Sequence, residues 1–413
     1  MHTSSHSILK ALAVVLLVWL TASAFDIVRD FLWIVATPAL FFSVGYFFNV
    51  DNADRPAEFV ERRLRGYYLP FLGWAVVLLA VHNLWFHAGL LSPRMVADGV
   101  AVHPYGWHEF SQRLWSIALN MSAYDEVMAA CYWLFRTLLL STVGFLVLFI
   151  VGRKISRFEN DREIGWAIFV VAFLLALWQV LGELSVTGVA QGGYRELTGV
   201  LFISMGFLFR QYRAKIEIDW RTYLLCLCVW GGVAWFYPVH MTPGADIAAF
   251  LALPLPAFAG FVLLLALSER LAALDNRATR LLVHIGDNYL CVVAFFIVAF
   301  QLVHLLKALV YGLPVETVAL AQDDKPWWHG FSLLYVAAGV GLPLAVRHLY
   351  LRLTEGRRWS FGRWGDMLFD IVLLVVSTVL RLLKAIVIGI YRFILAFFRA
   401  LGEFLRASNP KDE

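Results

Sequence analysis

The amino-acid sequence predicts an all-α, polytopic transmembrane bundle of about ten spanning helices, followed by a C-terminal amphipathic helix. Three observations predict it. The 413-residue chain is 61% hydrophobic and 15% charged, with a mean hydropathy of +0.72, whereas a soluble domain of this length would have more charge and fewer apolar residues. The apolar residues cluster into ten stretches of about 20, the length that crosses a hydrocarbon core of about 30 Å. The connectors between them alternate between rich and poor in Lys and Arg.

The spans fall at about residues 8–24, 31–49, 67–86, 129–152, 164–183, 196–210, 221–238, 246–268, 288–308 and 329–349. The first is long enough to cross and no convincing cleavage site follows it, so it reads as a retained helix rather than a signal peptide. Arg55, Arg62, Arg63 and Arg65 follow the second span, and Arg153, Lys154, Arg157 and Arg162 the fourth. Arg210, Arg213, Lys215 and Arg221 follow the sixth, Arg270, Arg277 and Arg280 the eighth, and Arg347, Arg352, Arg357 and Arg358 the tenth. By the positive-inside rule both termini are cytoplasmic. Aromatic residues suit interfacial belts. Cys131, Cys226, Cys228 and Cys291 all lie in apolar spans without metal or disulfide spacing, and read as buried small hydrophobes. No metal is expected.

The most informative stretch runs from Pro38 to Trp74. An apolar segment ends at Ser43-Val44-Gly45, a polar turn follows, and a helix then presents Arg62, Arg63 and Arg65 before Pro70 opens the next span. Two readings stand for these cations. They mark topology, or they hold an anionic group at the lipid boundary. The second span's FFSVGYFF is echoed in the sixth by FISMGFLF, and Gly45 and Gly206 would let neighbouring helices approach closely. The longest outer connector, about 87–127, carries His87, His103, His108, Trp107 and Trp115. It reads equally as a contact surface for an extracytoplasmic substrate or as a cap with interfacial tryptophans.

Beyond the tenth span, residues 367–406 are nearly all apolar. Asp370, Arg381, Arg392, Arg399, Glu403 and Arg406 fall in one narrow stripe at 3.6 residues per turn. Such a helix suits the cytoplasmic interface, facing lipid phosphates, or an arm that docks onto another membrane protein. Two further spans would bury Arg381, Lys384 and Arg392, which is costly.

Ionisable groups inside a membrane are functional candidates. Lys10 lies near the cytoplasmic mouth of the first span, and Arg136 inside the fourth needs an anionic partner or a ligand. Glu183, Arg195 and Glu196 flank an outer turn, His304 reads as a satisfied bundle histidine, and His82 and His87 close the third span as either bases or packing groups. No phosphate loop, nucleophile elbow or His-Glu-x-x-His motif is present.

Several of these segments, in this order, resemble the acyltransferase-3 family of ten-helix membrane acyltransferases. SILKALAVVLLVWLTAS is similar to that family's opening span, PALFFSVGYFF to its Phe-Phe-x-Ser-Gly-Tyr segment, and RRLRGYYLPFLGW to its basic turn and proline. CYWLFRTL, FISMGFLFRQ and LLVHIGDNYLCVVAFF resemble three later segments, so the likeness covers about residues 8–350 and leaves 351–413 as a separate tail. The resemblance implies an acyl-CoA donor, acetyl-CoA being the simplest, and acylation of a hydroxyl on a cell-envelope polysaccharide or lipid-linked sugar. It implies a bacterial inner membrane and no nucleic-acid partner. It places Lys10, Arg62, Arg63, Arg65, Ser43, Tyr46, Trp133 and Arg136 on the donor side. The family's opening span carries an Arg and, after ten intervening residues, a His as general base. Here those positions hold Lys10 and Thr21, and a threonine hydroxyl is no base unaided. A further family histidine aligns with Phe296, and the Ser-Gly step is opened to Ser43-Val44-Gly45.

Three readings follow. The first is an active O-acyltransferase in which His82, His87 or Glu183 replaces the missing base. The second is a catalytically silent relative that binds, passes or helps assemble and export a polysaccharide within an envelope complex. The third, a small-solute transporter, lacks the broken helices in paired halves that such proteins use.

Overall fold

The computed structural model describes residues 2–354 apart from 23–25, 94–95, 98–99, 126, 156–159, 183, 187–188, 215–218, 242–245 and 313–331. Glu183 and the tail anticipated over 367–406 lie outside the described residues. The chain separates into two units, Met1–His348 and Leu349–Glu413. Of the second, residues 349–354 are described.

The fold is all-α, its described residues adding one antiparallel ladder of two residues a side, Val96–Ala97 against Val100–Ala101. Its helices are α1 (His2–Ala22), α2 (Asp26–Tyr46), α3 (Pro56–Arg63), α4 (Leu69–His87), α5 (Trp107–Asn120), α6 (Trp133–Lys154) and α7 (Asp161–Val180). They continue with α8 (Tyr194–Arg213), α9 (Trp220–Phe236), α10 (Ile247–Ala252), α11 (Pro254–Leu274), α12 (Arg277–Asp287), α13 (Tyr289–Tyr311) and α14 (Ser332–Thr354). Asn160, Asp219, Asp246 and Asn276 cap α7, α9, α10 and α12, each side chain accepting from a backbone N–H three residues on. Between α3 and α4 the rod is unbroken, because residues 64–68 form a π-helical turn.

Among the described residues, eight helical segments are long and apolar enough to cross a membrane, so this is a membrane protein. All ten anticipated spans fall on helices, but two, α8 and α9, are not among those eight. With 17 residues, α9 is about 25 Å long, short of a full crossing. Charged at both ends, α8 buries most of its surface against α2, α6 and α7, so it has little need of apolar lipid-facing residues. Two further helices were not anticipated as such. The basic connector after α11 folds as α12, which buries Thr279, Ile285 and Gly286, and the connector after α4 contains α5. Short amphipathic helices of this kind read as connectors when a search is made for runs of about 20 apolar residues.

Small residues set the helix crossings. A β-carbon at Gly45 would lie 1.8 Å from the Ile203 carbonyl oxygen, and one at Gly206 would lie 2.2 Å from that of Phe42. The two echoed segments are therefore the two halves of one crossing, α2 against α8. Gly286 lies equally close to the backbone of Ser7, bringing α12 onto α1, and Ser7 donates a hydrogen bond to Asp287. In α11, Gly260 admits the Val35 side chain of α2. Without water to drive association, this close backbone approach is the main source of contact between helices. Gly206→Ala forces α2 and α8 apart and should lower stability by about 1–3 kcal/mol. Gly73→Ala, where nothing lies within 4 Å, is the control and should not destabilise. Unfolding in detergent micelles checks both.

Candidate functional site

Four stretches of chain converge at the end of the bundle that carries the arginine-rich connectors. The π-helical turn places Arg63 and Tyr67 on one side of the α3–α4 rod, where Arg63 Nη1 donates to the Tyr67 hydroxyl at 3.3 Å. The start of α13 contributes Tyr289, whose hydroxyl donates to that of Tyr67 at 3.2 Å. One end of α2 brings Ser43 and Val44, and the first turns of α1 bring His6 and Lys10. Together they line a cavity of about 190 Å³.

Its charge is one-sided. Lys10, Arg62, Arg63 and the His6 imidazole line it, and among the described residues no carboxylate does. The Lys10 ammonium lies 5.3 Å from the Tyr289 ring centroid, and the Arg63 guanidinium lies 4.9 Å from Phe59 and 5.7 Å from Tyr67. These aromatic faces hold the cations in place without neutralising them. Arg62 donates to Asn52 at 2.9 Å, a neutral partner. The Ser43 hydroxyl donates to the Leu40 carbonyl at 2.7 Å. His6 stacks on Phe47, with centroids 4.2 Å apart. Pockets that enclose a drug-sized ligand run from about 300 to 1,000 Å³, so this one has room for a small group or for one end of a larger molecule. Its chemistry is that of an anion cradle. Among the described residues no cluster of three metal-ligating side chains occurs, and the four cysteines are free.

The structure thus brings together Lys10, Ser43, Arg62 and Arg63, which are far apart in sequence, and adds His6, Tyr67 and Tyr289. Four residues before Lys10, His6 shares its helix face. That spacing was the signal available, but it lies before the expected start of the first span. The other candidates are elsewhere. Arg65 is bound to Glu61 at 3.0 Å, one turn back on its own rod. Tyr46 packs against Phe47 and Phe209 and does not line the cavity. Thr21 is exposed, its hydroxyl donating to the Leu17 carbonyl, and eleven residues of helix put it about 16 Å from Lys10.

Arg136 and Trp133 belong to a second cluster, at the opposite end. Arg136 Nε donates to Glu196 Oε1 at 2.9 Å with both residues buried, Thr137 donates to the same oxygen, and Ser141 donates to the Glu196 carbonyl. The Arg195 guanidinium lies 4.0 Å from the Trp133 ring centroid. Arg136 therefore has an anionic partner inside the bundle and does not reach the cavity.

His82 is also at that opposite end, about 28 Å along the α3–α4 rod from Arg63. It is fully buried: Nδ1 contacts Asp125, and Nε2 donates to the His103 carbonyl at 3.0 Å. Neither nitrogen faces open space, so His82 is a structural group as it stands. The Tyr105 ring stacks on it at 3.7 Å, the Arg113 guanidinium covers the ring of Tyr105 at 4.2 Å, and Asn83 exchanges two hydrogen bonds with the Tyr105 backbone. The connector between α4 and α6 is thereby folded into a cap. His87 is exposed, with Nδ1 donating to the Asn83 carbonyl. In a comparison with family models, curated proteins and solved structures, the chain matches none.

Two tests follow from this geometry. Arg136→Met leaves Glu196 buried without its cation and should cost about 3–5 kcal/mol, while Arg136→Met with Glu196→Leu should recover most of that loss, as read from unfolding midpoints. On the cap, the Ala101 carbonyl and then Glu109 accept from His103 and hold its pKa above the ordinary histidine value. Its stabilising contribution is complete below that ordinary value and is lost as pH rises through the raised one. Proteolysis of the α4–α5 connector should therefore accelerate as pH rises above the ordinary histidine range, and Glu109→Gln should flatten that rise.

Proposed function

We propose that this protein is an acyltransferase-like membrane protein of the cell envelope, which takes an acyl-CoA donor at its basic end and serves the O-acylation of a polysaccharide or lipid-linked sugar. One observation carries the reading: Lys10, Arg62 and Arg63, drawn from two separate helices, meet around a cavity that no carboxylate lines among the described residues. Cations that only marked topology would have no need to converge. A phosphate-bearing donor fits that chemistry, because guanidinium and ammonium groups bind phosphate oxygens through charge-assisted bonds. The sequence resemblance to the acyltransferase-3 family points the same way. In this reading the basic end is cytoplasmic, where the donor is made, and the membrane is a bacterial inner membrane.

A second reading is favoured by a specific observation. Thr21 is exposed, about 16 Å from Lys10, and committed to its own helix. A relative without the usual base would bind or pass a glycan, or act as a subunit of an export assembly, without turnover.

Donor binding separates the two from simple topology marking. Acetyl-CoA should bind purified protein in lipid nanodiscs, and Arg63→Ala should weaken it by roughly 10–150-fold, the loss of one charge-assisted contact of about 1.5–3 kcal/mol. Arg65→Ala, already paired with Glu61, should change little. Gly66→Leu should block binding without unfolding, since Gly66 lines the cavity and a β-carbon there meets nothing within 4 Å. Equal binding by native protein and Arg63→Ala would sink the donor site.

A further inference from the structure

We infer that His6 is the general base of the transfer step, and that the acceptor hydroxyl therefore meets the donor at the basic end of the bundle. This rests on the donor reading given above.

The argument begins with what the cavity contains. Transfer from a thioester to a hydroxyl needs a group that accepts the hydroxyl proton near neutral pH, and imidazole is the usual one. His6 is the sole imidazole among the residues that line the cavity. The histidines proposed from the sequence are occupied or remote: His82 has both nitrogens engaged, and His87 is exposed at the opposite end. By contrast, neither ring nitrogen of His6 has a hydrogen-bond partner among the described residues, and the ring is only half-buried. Phe47 holds it by a face, stacked at 4.2 Å and 24°. Stacking fixes the ring plane and leaves the nitrogen edge open. Lys10, one helical turn on, lies on the same face, so a base and an anion-binding cation project together from α1.

The step balances. Nitrogen of His6 takes the proton of the acceptor hydroxyl as its oxygen attacks the thioester carbonyl carbon. The C–O bond forms and the C–S bond breaks. The departing sulfur then takes the proton from the imidazolium, which returns His6 to its starting state and releases the free thiol. Lys10 and Arg63 hold the donor's charged groups and take no proton. A consequence follows for the acceptor. Its hydroxyl must reach the basic end, so the glycan is modified on that face of the membrane, as a lipid-linked precursor, before any step that carries it across.

The test compares native protein with His6→Ala, His6→Gln and Thr21→Ala in nanodiscs, reading acetyl-CoA affinity by titration, acetyl transfer to a lipid-linked sugar acceptor, and thermal stability. The expected result is that the His6 variants bind acetyl-CoA within about twofold of native and lose turnover by about 100-fold or more. Added imidazole should restore part of the His6→Ala rate, and Thr21→Ala should remain active. His6→Gln keeps a planar polar side chain against Phe47, and so separates lost chemistry from lost packing. Turnover within a few-fold of native in both His6 variants would overturn the inference and leave the donor site standing. Raised KM at unchanged kcat would also overturn it, by making His6 an anion ligand. Native protein that binds acetyl-CoA but never turns over would overturn the base and favour the silent relative. Native protein that fails to bind would remove the donor reading itself.

Discussion

The crossing of α2 and α8 at Gly45 and Gly206 is the constraint on which the rest depends. Each glycine lies against the other helix's main chain, so the two axes approach as closely as backbones allow. Helices in lipid gain nothing from burying apolar surface that lipid already covers, and contact must come from fit. Once that crossing is made, the end of α2 is fixed in place. Two residues before Gly45 comes Ser43, and two after it Phe47, on which His6 stacks. Arg210, at the end of α8, donates to the Phe48 carbonyl at 2.7 Å, tying the next turn of chain to the same crossing. The polar turn that follows delivers α3 and its arginines. The cavity is thus a by-product of where two glycines put two helices.

Charge inside the bundle obeys two regimes. At one end, buried polar groups are partnered: Arg136 meets Glu196, and Asp125 meets His82, each within hydrogen-bonding reach and each buried. A buried charge without a partner is costly, and these pairs hold helices and cap in register. At the other end, Lys10, Arg62 and Arg63 gather around a cavity with aromatic rings and a neutral acceptor in contact, and the Asp287 carboxylate acts on Lys10 from outside the described lining. Aromatic faces stabilise cations without cancelling their charge, so the field remains available to an anion from outside. The same residue types are paired with opposite charge in one place and gathered with like charge in the other, and only the partners tell them apart.

The π-helical turn at residues 64–68 is the local device that shapes the basic end. A regular helix from Pro56 to His87 would advance Arg63 and Tyr67 by one ordinary turn. The widened turn keeps the rod continuous while reorienting its residues, a feature often found at functional sites. Here Arg63, Gly66 and Tyr67 all line the cavity, and the hydrogen bond from Tyr289 to Tyr67 joins α13 to the rod across it.

The sequence by itself determined that this is a helical membrane protein, because runs of about 20 apolar residues have no other stable fold in lipid. It also determined that Gly45 and Gly206 are close-packing positions and that Lys10 and the arginines after α2 are the cations to watch, since small residues and intramembrane charge are conspicuous there. Only the tertiary structure decided which groups meet. That Arg136 belongs to Glu196, 60 residues away, that Arg65 turns back to Glu61, and that His6 rather than His82 reaches the cavity are facts of contact. Periodicity reports which face of a helix a residue occupies, but the partner across that face depends on how helices cross. In lipid that crossing is decided by backbone fit, which no pattern along a single helix records. The short helices α5 and α12 are illegible in the sequence for the same reason, since each is held by its neighbours rather than by its own hydropathy.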